Sequence, residues 1–330
     1  MSPKVSVVIP VYNGELFIKK AIHSVLAQES QAHEILVIDD GSTDNTPSIL
    51  EGFKSRVIVK RIANQGSAVA RNVGIRLSTG DYLAFLDADD VWFRHRLKTA
   101  IAYILKYPEV GFFCSNYIVR YPDLGRKLVK HYSVVPERNR LNFDEPLKVS
   151  PLKLLLRVNF VGTPSAVIVK KRLVEQAGLF KPDYAIVEDL GFFIEMSMLT
   201  NFVLIKDVLS YKRLHEMNIS GQTIPMVINH KKLLMDVSVS KKQYLNSHQL
   251  SNDGARALAR LNYWLGTLYF DAGDKKKAFS LYWEGLRSAS GVTNFLEFLW
   301  ALFKKSVRLL TGDFLSFKNL RKSYFKRKKF

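Results

Sequence analysis

Three aspartates stand close together at the end of the stretch GDYLAFLDADD, residues 80–90. They are Asp87, Asp89 and Asp90, and the apolar run before them is typical of a strand that is buried on both faces. Neighbouring carboxylates repel each other, and a hard divalent cation such as Mg2+ or Mn2+ relieves this repulsion because it prefers oxygen ligands. The pattern therefore predicts a metal site. The alternative is a polar turn in which Asp89 or Asp90 caps the next helix.

Polar side chains also end two other apolar runs in the N-terminal part of the chain. Tyr12 and Asn13 follow the run VSVVIPV. Asp39 and Asp40 follow a second run, EILVI. The carboxyl ends of parallel strands meet at one edge of a sheet, and open α/β sheets bind ligands at that edge. We therefore expect the three polar clusters to converge on one site.

Apolar periodicity predicts the elements that hold these clusters. Strands are predicted over residues 5–11, 35–38, 57–60 and 82–86, with helices over 16–27 and 68–77 and another after Asp44 or Thr46. Strands that alternate with helices through short connections predict an α/β fold with a wound, mostly parallel sheet and flanking helices.

The middle of the chain continues the α/β pattern less regularly. Strands are predicted over 110–119, 166–169 and 202–206, with helices over 95–107, 151–157 and 172–178 and another that follows Val187-Glu188-Asp189 and runs to Leu199. Residues 120–150 are rich in Arg, Lys, Pro and Asn and show no clear period. We expect them to form an insertion or a loop that faces substrate.

Beyond Gln222 the pattern becomes all-helical, so we predict a first domain over 1–222 and a helical C-terminal region over 223–330. Within 255–290, the spacing of small and aromatic residues resembles one tetratricopeptide unit, and an ordinary helical hairpin is the alternative. The residues concerned are Leu265, Gly266, Tyr269, Ala278 and Tyr282.

The net charge of +19 is concentrated at the C-terminal end, where residues 301–330 hold ten Lys or Arg and one acid, Asp313. This asymmetry predicts an anionic partner surface. The segment 295–310 is apolar on most of its circumference, which predicts a helix lying at a bilayer surface; a core helix followed by a solvated basic tail is the alternative. The single Cys114 fits a reducing compartment. With no leader before the first strand, we expect a cytoplasmic protein, peripheral at the inner face of the membrane.

Four blocks of the sequence together resemble family 2 glycosyltransferases of the GT-A fold. In chain order they are VSVVIPVYNGELFIKKAIHSVLAQ, EILVIDDGSTDNT, NQGSAVARNVGIRLSTGDYLAFLDADD and VEDLGFFIEM. The resemblance covers about residues 3–215. It implies transfer of a sugar from a nucleotide-diphosphate sugar, UDP-linked by expectation, to an acceptor hydroxyl with inversion at the anomeric centre. A hexosyltransferase class is implied.

The resemblance assigns roles around a metal, Mn2+ or Mg2+, that would neutralise the leaving diphosphate. Asp89 is the ligand that touches the metal, and Asp87 lies nearer the ribose or the outer ligands of the metal. Asp90 shares either role. His215 lies near the diphosphate or the metal.

The resemblance also implies a nucleotide site. Asp40 would accept a hydrogen bond from uracil N3–H, with Asp39 adjacent to it. Pro10 and Tyr12 would flank the base. Arg71 would lie near the nucleotide, and a surface charge on a helix is its alternative role.

An inverting transfer needs one general base for the acceptor hydroxyl. Asp189 matches the base of the family, and Glu188 is the alternative. Both could instead be acids that a helix N-terminus favours. Relatives often have an Arg shortly after this pair, whereas this chain has Phe192 and Phe193, which leaves the acceptor-side contacts open.

Other functional classes fit the sequence less well. A nucleotidyltransferase would open with a Gly-rich, Arg-containing loop, and a dinucleotide oxidoreductase needs G-x-G-x-x-G after the first strand; neither is present. A non-catalytic, basic binding or scaffold protein would leave the acidic clusters unexplained. We expect a glycan or lipid-linked acceptor in cell-envelope or exopolysaccharide synthesis, and no nucleic acid partner.

Overall fold

A computed structural model describes residues 2–120, 128–136, 138–214 and 223–287. The chain divides into two compact units after Asn229, and each unit is described by itself. Within the described residues, the first unit carries the α/β elements and the second is helical. The predicted basic helix over 295–310 and its tail lie outside the described residues.

The N-terminal half of the sheet is parallel, in the strand order β3-β2-β1-β4. The strands are β1 (Val5–Val11), β2 (Glu34–Asp39), β3 (Ile58–Arg61) and β4 (Tyr82–Phe85), and the helices between them are α1 (Ile18–Leu26), α2 (Thr46–Glu51) and α3 (Ser67–Leu77). These elements confirm the alternation that the apolar periodicity predicts.

The sheet then becomes mixed, continuing from β4 in the order β8-β6-β9-β5 with β7 beside β6. The further elements in chain order are β5 (Val91–Trp92), α4 (Arg96–Lys106), β6 (Phe112–Arg120), β7 (Leu128–Lys130), α5 (His131–Val134), α6 (Pro151–Leu155), β8 (Val167–Lys170), α7 (Lys171–Gln176), α8 (Glu188–Ser197) and β9 (Phe202–Lys212). Strand β8 is antiparallel to both of its neighbours, and β6 is parallel to β9. This architecture confirms the predicted fold class.

Strand β1 lies between β2 and β4 and is buried along its whole length. Because side chains alternate across a strand, Val7 and Ile9 pack in the core on the α1 side. Val8 points to the opposite face, where Gly74 of α3 leaves no room for a Cβ atom. Helices therefore cover both faces of the parallel half of the sheet.

An aromatic cluster between the sheet and α8 accounts for the two phenylalanines after the acidic pair. Phe192 stacks on Phe180 with ring centroids 4.2 Å apart, and Phe193 meets the edge of Phe112 at 5.8 Å. Both side chains are buried. Both side chains therefore pack in the core, at the place where relatives often have an Arg after the acidic pair.

In its described residues, the segment predicted as an insertion, 120–150, adds a strand to the sheet. It forms β7, α5 and one turn of 3-10 helix, Arg138–Arg140. Asp144 fixes the following loop, because its carboxylate accepts from Tyr103 Oη at 2.7 Å and from the backbone N of Lys206 at 3.0 Å.

The second unit contains α10 (Lys242–Ser247), α11 (Ser251–Asp271) and α12 (Lys275–Arg287), and α9 (Thr223–Ser240) spans the boundary. Helices α11 and α12 form the predicted hairpin. Gly266 faces the Tyr282 ring and Gly285 faces the Tyr263 ring, so small residues stand where the helices approach closely. Among the described residues, no helix combines the length and hydropathy needed to cross a membrane.

Replacing Gly74 by Ala should lower the free energy of unfolding by about 1–3 kcal/mol, because the new methyl group overlaps the Val8 side chain. Denaturant unfolding followed by circular dichroism measures this change. Gly254→Ala is the matched helical control: its nearest neighbour is Ser238 Oγ at 3.7 Å, so it should raise stability by up to about 1 kcal/mol. Equal stability of Gly74→Ala and the wild type would show that α3 does not pack this closely on β1.

Candidate active site

A cavity of about 720 Å3 opens at the carboxyl ends of β1, β2 and β4. Its wall is formed by the turn after β1, the loop before α3, the acidic loop after β4, the segment before β8 and the start of α8. Of the residues predicted as site residues, nine line it: Pro10, Tyr12, Asp40, Arg71, Asp87, Asp89, Asp90, Glu188 and Asp189. His215 lies outside the described residues.

The two aspartates at the end of β2 have different surroundings. Asp40 lines the cavity, and its two carboxylate oxygens accept from the backbone N of Gln65 and Gly66 at 2.9 and 2.8 Å. Asp39 is buried and is not among the lining residues; it accepts from Ser42 N at 2.9 Å and faces Arg61. Asp39 therefore fixes the loop after β2, whereas Asp40 fixes the loop before α3 at the cavity wall.

Arg71 bridges two of the acidic clusters. Its Nη2 donates to Asp87 Oδ1 at 2.7 Å, its Nη1 donates to Glu188 Oε1 at 3.0 Å, and its guanidinium lies over the Phe180 ring. Ser67 Oγ also donates to Glu188 at 2.6 Å. Arg71 is buried, so the alternative of a surface charge on a helix is wrong.

Burial and charge shift the pKa values of Arg71 and Asp87 in opposite directions. Burial alone would lower the pKa of Arg71, but the two carboxylates hold that pKa above its usual range. Burial alone would raise the pKa of Asp87, but the Arg71 charge and hydrogen bond keep that pKa below its usual value. Both groups are therefore charged at neutral pH.

The other two aspartates of the loop after β4, Asp89 and Asp90, differ in burial. Asp90 is buried, and burial followed by the charges of Asp89 and Asp87 raises its pKa well above the usual value. Its Oδ1 accepts from the backbone N of Arg213 at 3.0 Å. Asp89 is only partly buried and lies on the cavity wall.

These carboxylates fit a divalent cation. Their oxygens are hard ligands that face a common cavity, and the charges of Asp89 and Asp87 are, after burial, the next causes of the raised pKa of Asp90. The described part of the chain contains no set of three or more His, Cys, Asp or Glu side chains already arranged as metal ligands. Mg2+ needs only one or two protein carboxylates, because phosphate oxygens and water complete its coordination.

Glu188 and Asp189 begin α8 but have different hydrogen-bond partners. Burial, and next the neighbouring Glu188, raise the pKa of Asp189 to about 7, while Lys212 and Arg71 act in the opposite direction. Leu190 N donates to Asp189 Oδ1 at 2.6 Å. Arg71 and Ser67 thus fix Glu188, whereas Asp189 lies beside it on the cavity wall with a raised pKa.

Lys212 and Thr163 are two of the cavity residues that the sequence predictions missed. Lys212 lines the cavity because β9 extends to it instead of ending at Lys206, and its Nζ donates to Gly162 O at 3.4 Å. Thr163 lines the cavity and donates from Oγ1 to Asp87 Oδ2 at 3.3 Å. The basic residue before His215 was the only signal for Lys212, and nothing in the spacing indicated Thr163.

Comparison with known proteins defines the class of this fold and site. The model of glycosyl transferase family 2 matches residues 6–172, half of the chain. The chain therefore belongs to glycosyl transferase family 2, and it is an enzyme of the glycosyltransferase class.

One similar protein is the UDP-Glc:alpha-D-GlcNAc-diphosphoundecaprenol beta-1,3-glucosyltransferase WfgD of Escherichia coli. It is 36% identical over 155 residues, which is 46% of this chain and 54% of WfgD. The match thus spans about half the length of that relative.

Two solved structures show the fold. The TarS fragment of S. aureus in complex with UDP-GlcNAc has a TM-score of 0.58 and 19% identity, covering 87% of this chain and 92% of the fragment. The mannosyltransferase PcManGT from Pyrobaculum calidifontis, in complex with GDP-Man and Mn2+, has a TM-score of 0.58 and 17% identity. The match covers 94% of this chain and 81% of PcManGT. Both likenesses confirm a GT-A-type fold.

Replacing Asp189 by Asn should stabilise the protein, and the gain should grow as the pH rises from about 4 to about 7. Over this window the folded wild type keeps a proton on Asp189 that the unfolded chain has lost, so its stability falls with rising pH. The gain is of the order of 1 kcal/mol per pH unit and is constant above the window. Urea unfolding across the window measures it.

The exposed Asp183→Asn variant is the control for this measurement and should keep the wild-type profile. A pH-independent difference between Asp189→Asn and the wild type would contradict the raised pKa of Asp189.

Proposed function

We propose that the protein is an inverting glycosyltransferase that moves a hexose from a UDP-linked donor to an acceptor hydroxyl. One observation carries this proposal: carboxylates from the ends of β2 and β4 and from the start of α8 line a single cavity. A nucleotide-sugar transfer needs a nucleotide site, a site for diphosphate charge and a general base next to each other. The three acidic clusters supply these in that spatial relationship.

The base of the donor binds between the turn after β1 and the end of β2. Tyr12 is half exposed on the cavity wall, and Pro10 and Asp40 lie beside it. Tyr12 offers its ring to the base, and Asp40 retains acceptor capacity beyond its two loop hydrogen bonds. The UDP preference rests on WfgD, whose name gives UDP-Glc as donor.

The diphosphate binds between positive and negative groups. Asp89, with Asp87 beside it, would hold Mn2+ or Mg2+, and a bound metal supplies Lewis-acid stabilisation of the departing diphosphate. The Mn2+ in the PcManGT complex supports this choice of metal. Lys212 reaches the same cavity from β9 and adds a fixed positive charge. Arg71 is bound by two carboxylates, so its role is to hold Asp87 and Glu188 in position.

Asp189 removes the proton from the acceptor. The acceptor oxygen forms its bond to the anomeric carbon as the bond from that carbon to the diphosphate oxygen breaks, and the hydroxyl proton passes to Asp189. A pKa of about 7 suits a general base that must be ionised yet accept a proton at neutral pH. Attack opposite the leaving group inverts the anomeric centre.

The acceptor is a glycan or a lipid-linked sugar in cell-envelope polysaccharide synthesis. The name of WfgD, which includes a diphosphoundecaprenol acceptor, supports this class. Such an acceptor places the enzyme in the cytoplasm at the inner face of the membrane. The 1–222 segment forms the catalytic domain, and the 223–330 region serves attachment.

The surface of α12 supports attachment to an anionic membrane. Its face opposite the hairpin contact carries exposed Phe279 and Trp283 between Lys276 and Arg287. Aromatic rings flanked by cations are typical of helices at the interface of a bilayer. The excess of positive charge in residues 301–330 acts in the same direction.

Neutralising Asp89 and Asp189 in separate variants should distinguish UDP binding from sugar transfer. Asp89→Asn should abolish the rise in melting temperature that UDP with Mn2+ gives the wild type, because the diphosphate loses its metal. Asp189→Asn should keep this rise but lose at least about 100-fold in transfer rate, as expected for loss of a general base. Thermal shift with and without EDTA, and release of UDP from UDP-sugars with acceptor glycosides, measure the two effects.

Asp81→Asn, an exposed carboxylate at the opposite end of β4, is the matched control. Wild-type melting temperatures that are identical with UDP in Mn2+ and in EDTA would exclude a metal-dependent nucleotide site. Full turnover by Asp189→Asn would exclude Asp189 as the base.

Replacing Phe279 and Trp283 by Ser should reduce binding to phosphatidylglycerol vesicles by at least about fivefold, because interfacial binding scales with buried apolar area. Co-sedimentation measures the bound fraction, and phosphatidylcholine vesicles test the need for anionic lipid. The double variant Leu77→Ser and Leu105→Ser, at exposed positions of the first unit, is the control. Equal sedimentation of both double variants would show that α12 does not contact the membrane. Deletion of residues 292–330 would then test whether the tail makes this contact.

A further inference from the structure

A strained turn lies directly before α8. The backbone N of Val187 donates to Tyr184 O at 3.0 Å, which closes a four-residue turn. Ile186 is the third residue of this turn and has a φ of +73°. Turns with a positive φ at this position normally take Gly or Asn, because a Cβ atom meets the backbone there. A branched side chain is the least suitable of all.

The strain is unusual within this chain as well. Among the described residues, the other non-glycine positions with positive φ are Asn13, Asp144, Leu179 and Gln249. None of them is β-branched, and Asn and Asp are the types that tolerate this conformation. At five other described positions the chain places Gly in the same region, as at Gly41 and Gly66. Ile186 therefore keeps a costly side chain where the turn alone would favour Gly.

Ile186 lies at the wall of the candidate active site. It is partly buried and lines the cavity together with Glu188 and Asp189. Two of its near neighbours in sequence, Glu188 and Asp189, are charged residues of the same lining, so Ile186 supplies an apolar surface close to the carboxylate that receives the proton in the proposed mechanism. Sugars present C–H faces that pack on such a surface, and close packing also keeps water away from the base.

We propose that Ile186 is a specificity-determining residue that packs against the acceptor sugar beside Asp189 and favours transfer over hydrolysis of the donor. This assignment rests on the proposed function, because it takes Asp189 as the base for the acceptor. The strained turn is the structural device that points the branched side chain into the cavity. A glycine would satisfy the turn but leave this wall open to water.

Two variants separate the side chain from the backbone. Ile186→Asn tolerates the positive φ but replaces the apolar surface with an amide, whereas Ile186→Val keeps a branched apolar side chain in the same strained turn. The full-length protein is assayed with UDP-glucose and UDP-GlcNAc as donors, octyl glycosides as acceptors and Mn2+. Melting temperature, donor KM, acceptor KM and the ratio of hydrolysis to transfer are measured.

For Ile186→Asn we expect an acceptor KM raised about tenfold, a ratio of hydrolysis to transfer raised about tenfold, an unchanged donor KM and a melting temperature that does not fall. Ile186→Val should stay within about threefold of the wild type in every parameter. A merely structural role would instead lower the melting temperature and reduce kcat for transfer and hydrolysis alike.

Three results would overturn the assignment, and they are distinguishable from failure of the proposed function. An unchanged acceptor KM and hydrolysis ratio in Ile186→Asn removes Ile186 from the acceptor site. A lower melting temperature in that variant shows that the turn is not strained by the side chain, and a raised donor KM moves the contact to the donor. A wild-type protein without any transfer overturns the proposed function itself and this assignment with it.

Discussion

The contact of Arg71 with Asp87 and Glu188 is the constraint on which the rest of the site depends. It joins α3, the end of β4 and the start of α8, three segments that no continuous hydrogen-bonded ladder connects. The three charges are largely removed from water, so loss of one partner would leave the others buried without compensation. The relative positions of the acidic loop and the acidic pair are therefore fixed by charge as well as by packing.

This contact also divides the carboxylates by task. Asp87 and Glu188 are bound by the guanidinium, whereas Asp89 and Asp189 lie on the cavity wall beside them. The pKa of Asp189 rises to about 7 because it is desolvated and lies next to Glu188. In the proposed mechanism one cluster would bind a cation while the other exchanges a proton, although both consist of the same residue types.

Local pattern predicted much of this fold, because β1, β2 and β4 are apolar runs that end in polar residues. Their carboxyl ends meet as parallel pairing requires, which brought Asp40 and Asp89 to one cavity, and Asp189 reaches the same cavity from the start of α8. Contacts between distant residues could not be predicted in this way. Arg71 and Glu188 are 117 positions apart, and nothing in the helix period of α3 shows that Arg71 faces inward. Strand β9 also passes its predicted end, since pairing with β6 rather than its own apolar run determines where it stops.

The direction of β8 explains why one wall of the cavity was not foreseen. A search along carboxyl ends assumes that every strand points the same way, but β8 is antiparallel to β4. Its amino end therefore lies beside the carboxyl end of β4, and the residues before it enter the cavity. Ser165 Oγ accepts from Asp87 N at 2.9 Å, and Thr163 donates to the Asp87 carboxylate. The segment before the reversed strand thus supports the acidic loop, and Asp87 is held by the Arg71 guanidinium and by two hydroxyl groups.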